Sequence, residues 1–329
     1  MSISRNRRGS ALLAVLWLSA ALATIAFSLA ATVRGEVERA ATATDGVRSY
    51  ELAAGAVQRA ILHMLWGINN PGPLRDYAPG TPRLRFQFPT GDAEVEIVPE
   101  SAKLNINSAP PEDLFRLLSI LGVDPGRARA IVLAIMDWRA PSPEGLTEFD
   151  QYYLSLRPSF RSRHSSFEEI EELLLLRGMT PEIFYGTYER APQKEGEGLR
   201  LAPRAGLAQC LSVFGSAGPV DVNTAHPAVL GAVGLPPDVV AALVARRRTA
   251  PLRPQDLAGL SDLGPAGARL RIGGNSIFTL RATARLKLAN GRFSDMVRSV
   301  AAMVKFMPAG YDAPYHILRW YDRGGSGQL

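Results

Sequence analysis

Cysteine is all but missing from this chain. Cys210 is the only one in 329 residues, which excludes an internal disulfide and leaves either redox compartment open. Histidine is scarce too: His63, His164, His226 and His316 are scattered without the spacing of metal ligands. No Gly-x-Ser-x-Gly, Walker A or dinucleotide fingerprint occurs. No enzyme is therefore expected, and only a site assembled from distant residues would escape this reading. Acid is absent from the first nine residues, which hold Arg5, Arg7 and Arg8. Those three carry half of the formal net charge of +6. The remaining +3 (34 basic against 31 acidic residues) is too small a surplus to argue for nucleic acid by itself.

Charge of either sign is missing from Ser10 to Val33, SALLAVLWLSAALATIAFSLAATV. As a helix this stretch covers about 36 Å, more than the roughly 30 Å of hydrocarbon in a bilayer. The preceding arginines place the N-terminus in the cytoplasm and the rest of the chain across the membrane. A cleaved secretory signal is the alternative, but its apolar stretch runs to only about 7–15 residues and ends at a cut site. Here Arg34-Gly35-Glu36-Val37-Glu38-Arg39 leads on into Ala53, Val57, Ala60, Ile61, Met64 and Leu65 at helical spacing, until Pro71 and Pro73. One helix from about residue 10 to about 68 is predicted, apolar in its first half and amphipathic in its second.

Two regions alternate with a period of two. Arg83–Phe88 and Ala93–Val98 flank a turn at Thr90-Gly91-Asp92. Phe278–Ala282 and Ala284–Leu288 precede Asn290-Gly291, a strong hairpin turn, and a partner strand ending near Phe306. Between them, residues 101–270 read as mostly helical. The predicted fold is α+β: a long N-terminal transmembrane helix packed on a small antiparallel sheet, with a large α-helical domain inserted. Its parts are the membrane half 10–33, the amphipathic helix and first hairpin 34–100, a helical region 101–215, a further helical unit 216–270, C-terminal strands 271–310 and a tail 311–329. Residues 192–205 read as a loop, and the Gly/Ser-rich 323–329 as disordered.

The inserted region repeats itself. Leu104-Asn105-Ile106-Asn107-Ser108-Ala109-Pro110 precedes a helix, a turn at Gly122 and a second helix ending in Arg139. Val222-Asn223-Thr224-Ala225-His226-Pro227 precedes the same series, with Gly234 at the turn and Arg246, Arg247 and Arg248 at the end. Asn107 and Asn223, each followed by Ser or Thr, read as helix caps. Each unit resembles a helix-hairpin-helix, a module often used to grip DNA phosphate, so a membrane-anchored DNA receptor is the alternative function. Against it, the second glycine of a phosphate-gripping turn is replaced by Asp124 in one unit and by Pro236 in the other. The first adds a negative charge and the second removes an N–H donor.

Between the units lie Asp137-Trp138-Arg139, Tyr152-Tyr153, Ser166-Phe167-Glu168-Glu169-Ile170-Glu171-Glu172-Leu173 and Arg177-Gly178-Met179-Thr180-Pro181-Glu182. Ser166 and Glu169 have the spacing of a capping box, and Trp138 with the tyrosines reads as core. Asp137, Glu144, Glu148 and Asp150 form an acidic, loop-rich cluster that offers oxygens to calcium, against the plainer reading of a solvated acidic loop.

The ordered set, beginning with Arg7-Arg8-Gly9 before the apolar run, resembles the K-type minor pseudopilins of type II secretion from Arg7 to about Phe306. The resemblance implies a pilin-like frame and a leader, residues 1–9, cut by a prepilin peptidase between Gly9 and Ser10, with the new Ser10 amine methylated. It also implies a filament-tip role in export of folded proteins, and I- and J-type minor pseudopilins, other pseudopilins and an inner-membrane assembly platform as partners. The globular part would lie in the periplasm. The chain departs from most pilins at Ala14, where those carry glutamate. That carboxylate is thought to pair with a neighbouring subunit's amine inside the bilayer, and a subunit with nothing ahead of it has no such pairing to make.

Overall fold

A computed structural model describes residues 8–69, 77–78, 80–142, 144–190, 201–258, 261–274, 276–288, 290–308 and 310–322. Helix α1, Arg8–Asn69, is unbroken over 62 residues, about 93 Å at 1.5 Å per residue. Strands β1 (Arg83–Phe88) and β2 (Gly91–Pro99) follow it. The insert then runs through β3 (Leu104–Asn105), α2 (Pro111–Ile120), α3 (Pro125–Arg139), α4 (Glu148–Leu154), α5 (Pro181–Tyr185), β4 (Gly186–Arg190), β5 (Leu201–Ala205) and β6 (Leu211–Ser212). It continues through β7 (Val220–Asp221), α6 (Pro227–Ala232), α7 (Pro237–Thr249), α8 (Pro254–Ala258) and β8 (Leu270–Arg271). Strands β9 (Ile277–Lys287), β10 (Phe293–Phe306) and β11 (Tyr315–Tyr321) return the chain to the frame.

The frame is the predicted α+β arrangement: α1 lies on one antiparallel sheet ordered β1-β2-β9-β10-β11. Sequence-distant β2 and β9 are neighbours, with Gly91 opposite Leu286 and Pro99 opposite Phe278. Alternation sends Val95, Ile97, Leu280, Ala282, Ala284, Val300, Ala302 and Val304 onto Leu52, Ala53, Ala56, Val57, Ala60, Ile61 and Met64 of α1, forming one core. The small residues of α1 let helix and sheet approach closely, and burial of the larger ones, at about 25 cal/mol per Å² of apolar surface, holds the pair together. Along this contact Gly46 of α1 abuts Arg298 and Gly91 abuts Leu52, whereas Gly67 abuts Tyr77 near the other end. The insert leaves β2 at Pro99 and rejoins β9 at Ile277. It therefore grows from the end of the sheet farthest from the apolar half of α1.

Several local expectations change. The first hairpin turns at Pro89-Thr90, because Phe88 pairs with Gly91. The segment 311–329 is not all tail: Tyr315–Tyr321 pairs with β10 as an edge strand, broken by a bulge at Met303/Val304. Residues 201–205 are not loop but pair with Gly186–Arg190. Residues 192–200 and 323–329, whose loop and disorder were predicted, lie outside the described residues. The insert has one core, running from Ala102 to Leu270 through both repeat units. Helices α2 and α6 pack together, and Gly231 leaves the room that Ile120 fills.

Candidate assembly surface

The first half of α1 stands clear of the rest of the molecule. From Ala11 to Arg34 every residue is exposed, including Leu12, Val15, Trp17, Leu22, Ile25 and Phe27. Within it Ser19, Thr24 and Thr32 turn their hydroxyls back to the carbonyls of Leu16, Ala20 and Ser28 at 2.8–3.0 Å. These polar groups thus find partners inside their own helix, as a hydrocarbon environment requires. Among the described residues this is the single helix long and apolar enough to cross a membrane. Gly9 and Ser10 stand at its head, next to Arg8, and Ala14 sits in its first turns. Farther along, Gly35, Ala43, Gly46, Val47 and Tyr50 line an open groove closed on the other side by Arg298 and Asp322. Its small residues allow a second helix to approach closely.

The repeat units prove more alike than their sequences. Each opens with a two-residue strand that pairs in parallel with a two-residue strand at its far end, β3 with β6 and β7 with β8. Arg139 donates to the carbonyls of Ile106 and Ala109, both at 2.8 Å. Arg247 donates to those of Val222 and Ala225 at 2.7 and 2.8 Å. Burial lowers the pKa of both guanidinium groups. Asn107 and Asn223 do not cap helices as predicted. The Asn107 amide clasps the backbone of Phe167, donating to its carbonyl and accepting its N–H. Asn223 does the same with Leu252. The N-cap of α6 is His226, whose Nδ1 accepts from the Ala228 N–H. Burial, with Arg247 nearby, lowers the His226 pKa.

Of the two turns that would face DNA phosphate, the one at Gly122 is occupied. Gly122 and Gly234 adopt φ of +72° and +103°, as the tight turns require. At Gly122 the Arg204 guanidinium donates to the Leu121 carbonyl and fills the space in front of the glycine. Asp124 accepts the Arg127 N–H as the cap of α3, and Pro236 offers no donor at α7. Of the arginines at the end of α7, Arg247 is spent on backbone carbonyls and Arg246 pairs with Asp256. This geometry does not support the DNA-receptor reading.

Of the four acids proposed for calcium, Asp137 and Asp150 both meet Ser162, while Glu148 is paired elsewhere. Asp137 accepts from the Ser162 hydroxyl at 2.7 Å. Asp150 accepts the Ser162 and Thr147 N–H groups and meets His164 Nε2 at 3.0 Å. Desolvation raises the Asp150 pKa, but these hydrogen bonds prevail and bring it down to about 2. Glu148 pairs with Arg177 at 2.9 Å, and Glu144 is exposed. Among the described residues no group of three or more His, Cys, Asp or Glu is placed to hold a metal ion. The capping box lies at Thr147 and Asp150. At the predicted place the turn is a 3-10 helix, Ile170–Leu175, where Glu172 accepts the N–H groups of Glu168 and Glu169. Trp138 and Tyr153 are core, packed with Phe160 and Phe167. Burial pushes the Cys210 thiol up to about 12, which removes it as a nucleophile.

Comparison with known proteins agrees with this arrangement. Residues 96–186 match the family described as type II secretion system (T2SS), protein K. A relative from Klebsiella pneumoniae, type II secretion system protein K, is 25% identical over 203 residues, covering 55% of this chain and 61% of that protein. The chain thus spans less than two thirds of the length of this curated relative. In fold it is similar to a chain of the crystal structure of the GspK-GspI-GspJ complex from the enterotoxigenic Escherichia coli type 2 secretion system. That match has a TM-score of 0.51 at 16% identity, over 88% of this chain and 100% of the other.

Proposed function

We propose that this chain, a K-type minor pseudopilin of type II secretion, occupies the tip of the pseudopilus, helps to start its assembly and supports export of folded proteins across the outer membrane. One observation carries the reading. A continuous rod leaves its apolar half free and bears a large insert at the opposite end of the sheet. A subunit stacked directly above would clash with that insert, while the side of α1 below stays open to neighbours. Ala14 agrees with this position, because a subunit with nothing ahead of it has no amine to neutralise inside the bilayer.

Under this reading the prepilin peptidase cuts between Gly9 and Ser10, α1 crosses the inner membrane once with its N-terminus cytoplasmic, and the globular part is periplasmic. The similar chain of known structure belongs to a complex with GspI and GspJ. I- and J-type minor pseudopilins are the corresponding partners here, with the small-residue groove along α1 as the docking face. The assembly platform would then draw the finished tip outward.

Mass spectrometry of the mature N-terminus is the direct test. A methylated Ser10 is expected, whereas an intact Met1 or a cut beyond Val33 would overturn pilin processing. Recovery of I- and J-type subunits with this chain from membranes, together with loss of secretion on its deletion, is the expected outcome for the tip role. Undiminished secretion without it would overturn that role.

A further inference from the structure

Where the insert meets the outer face of the sheet, a cavity of about 280 Å³ is enclosed by residues from both. This is the size of a side-chain pocket rather than of a large cofactor site. Glu100, 1% exposed, lines it. One carboxylate oxygen, Oε1, accepts from the Thr279 hydroxyl at 2.6 Å and lies 3.5 Å from Lys103 Nζ. The other, Oε2, is buried and has no hydrogen-bond partner. A buried acceptor left this way costs on the order of 1–3 kcal/mol, more when it is charged.

Charge around the cavity is unbalanced in the same direction. Glu100, Glu168, Glu169 and Glu171 line it against Lys103 and Arg319. Arg319 is taken by Glu169 and Glu168 is taken by Arg163, while Glu171 has neither hydrogen bond nor ion pair among the described residues. Phe184, Phe214 and Leu318 supply apolar wall.

We infer that this cavity is a receptor for a primary alkylammonium group, the end of a lysine side chain or of a free amine. Its charge would sit between Glu100 Oε2 and Glu171, and its methylenes against the apolar wall. A cation on an apolar stem satisfies both halves of the site. A bare metal ion does not, because among the described residues no three His, Cys, Asp or Glu converge. The inference goes beyond the tip reading and does not depend on it.

The test uses the full chain in detergent micelles and saturation-transfer NMR on the ligand's methylene protons. The probes are n-butylammonium, a Gly-Lys-Gly peptide blocked at both ends, and the same peptide acetylated on the lysine amine. Saturable binding of the first two and none of the third is expected, with Glu171→Gln weakening it about tenfold and Glu100→Gln abolishing it. Tighter binding of the peptide than of butylammonium identifies a protein side chain as the source; equal binding identifies a free amine. No saturable signal, equal binding of the acetylated peptide, or unchanged affinity in Glu171→Gln overturns the site. Glu171 is exposed and takes part in no core contact, so that variant remains informative if Glu100→Gln fails to fold.

Discussion

Arg139 and Arg247 hold the same two places in the two repeat units. Each reaches back from its second helix to carbonyls three residues apart, Ile106 and Ala109 for one, Val222 and Ala225 for the other. The charges of Arg139 and Arg247 are spent inside the fold, closing each hairpin onto the strand that opens it.

Truncation of either arginine is expected to destabilise the insert. Arg247→Ala strands two carbonyls of residues that are themselves buried, at a cost of roughly 2–4 kcal/mol. Arg248→Ala, at an exposed position of the same helix, should stay within about 0.5 kcal/mol of the parent. Urea unfolding followed by tryptophan fluorescence compares them. Neither change should create or remove affinity in a duplex-DNA mobility assay.

Asn223 should tolerate no other side chain well. Its amide both donates to and accepts from the backbone of Leu252 in a buried setting. Asn223→Asp keeps the acceptor but sets a carboxylate oxygen against the Leu252 carbonyl, so it should lower stability more than Asn223→Ser. The melting temperatures of the two variants, measured side by side, test the order.

Asp150 makes stability fall in acid. Its folded pKa, about 2, lies below the roughly 3.9 of an unfolded aspartate. Its contribution is therefore complete above about pH 4 and is lost as pH falls toward 2. Asp150→Asn should be less stable than the parent at neutral pH and show a shallower decline across that interval. Near-UV circular dichroism of the Trp138 cluster, recorded against urea at each pH, reads both effects.

Calcium is expected to leave the fold unchanged. Asp137 and Asp150 are engaged by Ser162 and His164, and Glu148 by Arg177. Addition of calcium after treatment with a chelator should not move the melting temperature. A rise that saturates with calcium, and that disappears in Asp137→Asn, would reveal a bound ion.

Much of this molecule is local and therefore visible in the chain itself. A charge-free stretch long enough for a bilayer, helical spacing through Met64 and two period-two regions define the rod and most of the sheet, because each depends on neighbours along the chain. Glycines at 122 and 234 mark turns for the same reason. Tertiary structure decided what the polar residues do. Asn107 and Asn223 look like caps until the backbones of Phe167 and Leu252, 60 and 29 residues away, come within hydrogen-bonding reach. Arg139 and Arg247 look like mere helix ends until backbone carbonyls claim them. Strand β11 pairs only because β10 presents an edge, and Glu100 becomes an orphan acceptor only when the insert closes over the sheet. Apolar periodicity dictates which face is buried, but a hydrogen bond needs a specific partner, and only folding brings the partners together.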